Sequence, residues 1–499
     1  MKGTEPLWKW RWFLRPGRIF VMQKIFRRMA LGFIVMHSSA CSLPYEGKDE
    51  NAPSDNRHVL PENLESRLST GDGRSLVKDP RLPQIQADRA RVTQKRDPTA
   101  DCTSRGDALT AALEAEYNAA PDQVFGISVA LITSDCGEWS AGVGLAGPEE
   151  PLTPDHLMRV GSTTKTFVAA AILQLVSTGR LHLEAPLERY VPGIPNGERI
   201  TIRQLLNQRS GVFDYLSDLT LMTDVYQEIL GGESRTYSRA DLLKIIRRHV
   251  PLFEPDSNWE YSNSNYILLG LVLESVTGKK APVALRDLAY GPAALRGLFL
   301  DGSEPVQGPV ARGWLQTKKG SVEGTLPPTV AWTAGALVTT PLNLARWAKQ
   351  LYGGNILAPA EFEDMLEMQP TYMAEGLITY GLGVLAYPSG FYGSENFGHS
   401  GGVMTTNTEM IFFPRHDLAL VVVVNSSDTS GLRAVRDAVL SLELPGYSSR
   451  RYREAVESSA KVTDSLPRIL HGLPGADQVR WILGQLTGGY RGIPGPARR

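Results

Sequence analysis

Apolar residues recur at helical spacing over 166–181 (TFVAAAILQLVSTGRL), and the alanine-rich face of this run predicts a buried helix. Residues 267–276 read the same way, and further helices are predicted over 107–119 and 431–442. Apolar runs at 125–133, 408–413 and 418–424 (LALVVVV) predict core strands instead. The last two flank Pro414-Arg415-His416-Asp417, a turn cluster, so they form a hairpin. Strands at both ends with helices between them predict an α+β domain: an antiparallel sheet made from N- and C-terminal strands, flanked by helices, around a helix-rich middle.

The same pattern divides the chain. These elements occupy residues 101–444, one domain large enough to bury a substantial core. Residues 42–100 hold six prolines, one tyrosine and no Trp or Phe, a composition that cannot bury a core and predicts a disordered tether. Residues 445–499 are rich in Gly, Pro and Arg, carry one helical stretch at 477–486, and point to no particular role. At the other end, the apolar run 30–36 (ALGFIVM) follows Lys24, Arg27 and Arg28 and precedes Ser38-Ser39-Ala40-Cys41. Seven apolar residues do not span a bilayer but fit a signal peptide over 1–40, more regular still if translation begins at Met22. Ser-Ser-Ala-Cys resembles a bacterial lipobox, so Cys41 is the expected lipid anchor, the cell envelope or periplasm the expected location, and the membrane an expected partner.

Composition narrows the picture. The chain has 499 residues, 42% apolar and 21% charged, an ordinary globular balance. Its net charge of −1 hides an asymmetry, since residues 1–40 carry eight Lys/Arg and one acid. The remaining 44 bases and 52 acids make a poor match for a nucleic-acid binder. An antiparallel helix–strand pair would bring Cys102 and Cys136 to the same end, and export permits a disulfide between them; two unrelated thiols are the alternative. No CxxC or Cys/His cluster supports a metal site, and no cofactor is expected.

Three short patterns carry possible chemistry. Gly142-Val-Gly144-Leu-Ala-Gly147 has dinucleotide-fingerprint spacing, but Pro148-Glu-Glu-Pro151 follows where a helix should open. Gly398-His399-Ser400-Gly401-Gly402 has nucleophile-elbow spacing, which needs a helix after Ser400, whereas 403–410 reads as strand or loop. Ser-x-x-Lys occurs at Ser75, Ser162 and Ser458, and only Ser162-Thr-Thr-Lys165 opens a long apolar helix. There residues i and i+3 share a face, so a buried Lys165 amine can take the Ser162 proton while the helix N-terminus favours the developing oxyanion. Tyr261-Ser262-Asn263 is the one Tyr-x-Asn triplet among seventeen tyrosines. Its phenol, held as phenolate by a nearby lysine, could shuttle the proton, and Asn263 could donate to a substrate carbonyl and accept from Lys165.

Ser162-x-x-Lys165, Tyr261-x-Asn263 and His399-Ser400-Gly401, in that order, resemble the three motifs of the serine β-lactamase and penicillin-recognising group. Class C β-lactamases, D-Ala-D-Ala carboxypeptidases and related esterases are the nearer resemblance. Segments 200–207, 210–211, 259–266, 333–337 and 398–402 are similar as well, so the resemblance covers roughly 105–444. It implies a β-lactamase-like fold with the active site between sheet and helical middle. Ser162 would be the acylated nucleophile, Lys165 and Tyr261 the proton-transfer pair, Asn263 the substrate-orienting amide, and the Ser162 and Gly402 N–H groups the oxyanion hole. His399 stands where class C β-lactamases carry lysine; an unperturbed histidine is mostly neutral at neutral pH, so it would be a weaker anchor for a substrate carboxylate, acting either as imidazolium or as a neutral hydrogen-bonding ring. Pro255-Asp256 and Asn343 replace a usual Pro-Gly and Asp, as loop and capping variants. The implied activity is D-Ala-D-Ala carboxypeptidase or D-peptidase, acting on peptidoglycan stem peptides, with ester or small-amide hydrolysis next and β-lactam hydrolysis after it. A Ser400 hydrolase and a non-catalytic envelope-binding lipoprotein are the competing expectations.

Overall fold

The computed structural model describes residues 102–119, 125–317, 320–371, 373, 378–387, 389–392, 394–444 and 447. The expected signal segment, Cys41, the tether and the 477–486 helix lie outside them. Nine strands form the principal sheet: β1 (Gly126–Thr133), β2 (Gly137–Gly147), β3 (Glu150–Pro151), β4 (Gln369–Pro370), β5 (Thr379–Tyr380), β6 (Leu385–Tyr387), β7 (Asn396–Gly402), β8 (Asn407–Phe413) and β9 (Leu418–Val424). Their order is β3-β2-β1-β9-β8-β7-β6-β5-β4, with antiparallel neighbours throughout. The first and last strands therefore meet near the centre, with Val129 opposite Val422. The domain is α+β with its sheet closed by its two ends.

An antiparallel strand usually alternates in polarity because one face meets water. β9 does not alternate, because both of its faces are covered. Ala419, Val421 and Val423 point into one apolar layer, and Leu418, Leu420, Val422 and Val424 into the other. Helices α1 (Cys102–Ala119) and α6 (Ser430–Glu443) close the second layer, through Leu109, Leu113, Leu432, Val435 and Val439. Arg105 ties them to the sheet, bonding Asp135 at 2.8 Å and pairing with Glu443. Cys102 and Cys136 are joined by a disulfide, with Cys136 in the turn after β1.

The first layer holds the buried helix α2 (Thr164–Ser177), with α3 (Asn263–Thr277), α4 (Pro328–Gly335) and α5 (Pro341–Tyr352) around it. α2 buries eleven of its fourteen residues and so shows no polar stripe. It stops four residues short of the predicted end because Gly179 adopts a φ of +69°, which breaks the helical path. Its N-terminal extension is a 3-10 turn, Gly161–Thr163, and that turn carries Ser162. Asn343, expected as a capping variant, occupies the third position of α5, where its N–H is capped by the Thr340 hydroxyl at 3.2 Å.

Candidate active site

The turn before α2 is pressed against β7. Gly161 has a φ of +55°, and a Cβ there would overlap the backbone nitrogen of Gly402, while one on Gly401 would overlap the Val160 carbonyl. Only glycine allows both the turn and this approach. The backbone nitrogens of Ser162 and Gly402, expected as oxyanion donors, are consequently carried on segments packed directly against each other. Ser162 is partly exposed there while Gly161, Thr163 and Lys165 are buried.

Lys165 is fully enclosed. Its Nζ lies 3.0 Å from Ser162 Oγ, 2.8 Å from Asn263 Oδ1 and 2.7 Å from the Ala334 carbonyl oxygen. Burial lowers its pKa to about 7, against the opposing field of Asp214. A neutral amine has two N–H bonds and one lone pair. The two carbonyl-type oxygens can only accept, so they take both N–H groups and leave the lone pair on Ser162 Oγ. That is the arrangement a general base needs. The Ala334 carbonyl is held in place by its neighbours: Thr333 donates to the Tyr266 carbonyl at 2.8 Å, and Leu337 N–H to Thr164 Oγ1 at 3.1 Å. Just before them Trp332 leaves helical geometry (φ 36°, ψ −131°), buried beneath the Arg239 guanidinium.

Tyr261 is hydrogen-bonded to Ser162, and Lys165 Nζ sits 5.0 Å from its ring centre. The expectation of a resting phenolate does not hold. Burial raises the Tyr261 pKa well above its ordinary value, because desolvation of the anion outweighs a lysine that is itself readily neutral. Tyr261 is thus a neutral phenol, able to accept one proton and donate another. Asn263 accepts from Lys165, as expected, and its Nδ2 gives one N–H to Asp214 Oδ2 at 3.2 Å.

His399 takes the neutral of the two states open to it. It is buried on β7, with Nδ1 2.5 Å from the Ser400 carbonyl and Nε2 3.2 Å from Tyr380 Oη. A carbonyl only accepts, which assigns the ring proton to Nδ1 and leaves Nε2 accepting from Tyr380. Burial, reinforced by Lys165, lowers its pKa to about 3. The ring is neutral at physiological pH with both nitrogens taken by protein groups, so the imidazolium anchor for a carboxylate is not present. Ser400 lies mid-strand opposite Glu409. β7 runs straight on to Gly402, without the strand–turn–helix bend of a nucleophile elbow, and Gly142–Gly147 likewise stays within β2.

Sequence reasoning missed Asp214, Tyr380 and the Ala334 carbonyl. Asp214 had one available signal, a lone acid inside the apolar stretch Val212-Phe213-Asp214-Tyr215-Leu216. The other two had none, since a backbone acceptor carries no residue signature and Tyr380 meets His399 only across strands. Among the described residues, no group of three or more His, Cys, Asp or Glu is placed to hold a metal ion.

An antiparallel α+β fold with a serine and a desolvated lysine at the foot of its buried helix defines an active-site-serine protein. The chain belongs to the Beta-lactamase family, whose model matches residues 111–443. Among solved structures it is similar to a D-stereospecific amidohydrolase from Streptomyces sp. (27% identity, TM-score 0.59, covering 68% of this chain and 99% of that one). It is also similar to the D-amino acid amidase from Ochrobactrum anthropi SV3 complexed with L-phenylalanine (25%, TM-score 0.60, 67% and 98%). By sequence it resembles Esterase EstB from Burkholderia gladioli, 32% identical over 222 residues, 42% of this chain and 56% of that protein. The chain spans little more than half the length of the curated relatives that it matches over the longest stretches.

Proposed function

We propose that this protein is a serine hydrolase that forms an acyl-enzyme on Ser162 and acts on amides or esters of D-configured acyl groups whose leaving group bears no carboxylate. The observation carrying the machinery is the buried Lys165 Nζ 3.0 Å from Ser162 Oγ, with two acceptor-only oxygens, Asn263 Oδ1 and the Ala334 carbonyl, as its other partners. Ser162 Oγ attacks the substrate carbonyl while Lys165 takes its proton. The oxyanion is taken by the Ser162 and Gly402 N–H groups, preorganised donors for the developing charge. As the tetrahedral intermediate collapses, Tyr261 protonates the departing amine or alcohol and recovers a proton from Lys165. Water then attacks the ester, its proton passing back to the Lys165–Tyr261 pair, and the acid is released with Ser162 regenerated.

The D-configuration is supported by the likeness to the two D-specific proteins named above. D-Ala-D-Ala-terminated stem peptides, the expectation from sequence, fit less well than substrates without a terminal carboxylate. A charged donor strengthens recognition of that carboxylate, and His399, neutral and with both ring nitrogens engaged, does not supply one. The setting we propose is the cell envelope, with lipid on Cys41; loss of membrane fractionation in Cys41→Ser would support it, and unchanged fractionation would reject it.

The test compares kcat/KM for D- and L-amino acid amides, p-nitrophenyl esters, a D-Ala-D-Ala peptide and nitrocefin. D-amides or esters should lead. A leading D-Ala-D-Ala peptide would reject the substrate assignment, and fluorophosphonate labelling that survives Ser162→Ala but is lost in Ser400→Ala would reject the mechanism.

A further inference from the structure

We infer that Asp214 is a positioning residue for the Ser162–Lys165 machinery, orienting the Asn263 side chain so that its carbonyl faces the lysine. The inference rests on the acyl-enzyme reading above. Asp214 is buried in the segment after Ser210-Gly211. Its Oδ1 accepts from the backbone N–H of Asn263 at 3.2 Å and of Leu216 at 3.3 Å, and its Oδ2 accepts from Asn263 Nδ2 at 3.2 Å. An asparagine amide can flip by exchanging its oxygen and nitrogen. A carboxylate on one side accepts only, so it forces Nδ2 toward itself and Oδ1 toward Lys165. With a flipped amide, Lys165 would face a donor and turn an N–H toward Ser162 instead of its lone pair.

A purely structural role explains less. Asp214 caps the short turn Tyr215–Ser217 through one oxygen, and a serine or threonine could do that without burying a charge, which is costly unless the charge is compensated. The surroundings hold the segment rigidly against the start of α3. Tyr215 N–H donates to Ser264 Oγ at 3.0 Å, Ser264 Oγ to the Phe213 carbonyl at 2.6 Å, and Ser210 Oγ to Asn265 Oδ1 at 2.6 Å. Two strands of chain are thereby stitched together around the Asp214–Asn263 contact.

Asp214 also acts on Lys165 through space. The groups facing this pair are Tyr215, Tyr261, Tyr266 and His399; the tyrosines are held protonated by burial and His399 is neutral. Asp214 is thus the acidic group among them that opposes the desolvation of the ammonium. Removing its charge lowers the pKa of Lys165 further, so the amine stays neutral to lower pH and the acid limb of the activity profile moves down.

The experiment uses the full chain with Asp214→Asn and Asp214→Ser, the second kept in case the first does not fold, and measures kcat and KM for the best substrate from pH 5 to 9. The expected result is a kcat lower by on the order of 10²-fold, the cost of a misplaced reacting group, with KM little changed and the acid limb at lower pH. Added to Asn263→Ala, the substitution should cost little more, because Asp214 works through Asn263. A kcat within twofold of wild type, an acid limb superposable on it, or fully additive losses would each overturn the inference. Wild type that neither hydrolyses a substrate nor labels with fluorophosphonate would mark failure of the acyl-enzyme reading itself, and this inference would fall with it. An active wild type with unaffected variants would sink this inference alone.

Discussion

Two buried pairs of opposite charge lie in this domain and are built differently. On α6, Arg436 meets Glu409 of β8 directly, with Nη1 2.9 Å and 3.2 Å from the two carboxylate oxygens, and Tyr392 donates to the same carboxylate at 2.6 Å. Near Ser162, Lys165 and Asp214 share no direct hydrogen bond, and Asn263 is interposed. The contact in the first pair compensates each charge directly with its opposite. The inserted amide in the second transmits orientation but only part of the field. Desolvation then dominates, bringing Lys165 to about 7 and raising Asp214 to about 6. Close pairing makes a rivet; separation by one polar side chain makes a titratable base.

Neutralising the cation of each pair should break them in opposite ways. Lys165→Met should lower kcat by on the order of 10⁴-fold, the upper range for a lost acid–base group, while thermal unfolding changes by no more than about 1 kcal/mol, because a buried amine brought near neutrality contributes little ion-pair stabilisation to lose. A melting loss comparable to the activity loss would put Lys165 with the rivets. Arg436→Met should do the reverse, costing about 3–5 kcal/mol by leaving Glu409 buried without its partner, with kcat per folded molecule unchanged. Denaturant titration and active-site labelling measure the two halves separately.

The smallest effect is a pH profile. Since Lys165 must be neutral to act as base, kcat/KM should rise with pH and level off above about 7, falling toward tenfold per unit well below that pH. His399 contributes no limb between pH 6 and 8, being neutral throughout, so His399→Gln should leave the pH dependence of KM flat. A KM that climbs from pH 6 to 8 in wild type, and not in the variant, would restore the imidazolium anchor.

The legibility of the sequence differed between sheet and site for a physical reason. Uninterrupted apolar runs such as Leu418–Val424 can satisfy their backbone only in a strand whose two faces are both covered, so pattern alone identified them. The helix opening at Ser162-x-x-Lys165 was equally plain, because i and i+3 share a face whatever surrounds them. Element ends were less so: α1 begins at Cys102 and α3 at Asn263, several residues before the apolar periodicity starts, since their first turns are set by contacts beyond the helix. The phenolate expected for Tyr261 failed for a related reason, and the same burial decided between the two states open to His399. Ordinary pKa values describe groups in water, and both residues are sealed from it.

Local sequence thus picked out the candidate serine, lysine and tyrosine of the proposed site, where the strands and main helices run, and that the two ends of the domain pair. Tertiary structure alone decided that Lys165 is dry enough to be a base, that Tyr261 is a phenol and His399 a neutral ring, and that Asp214 belongs with them at all. Periodicity and spacing act along the chain, whereas desolvation and hydrogen-bond direction at Lys165 and Asp214 depend on partners 49, 98 and 169 residues away, and those exist as neighbours only once the fold is complete.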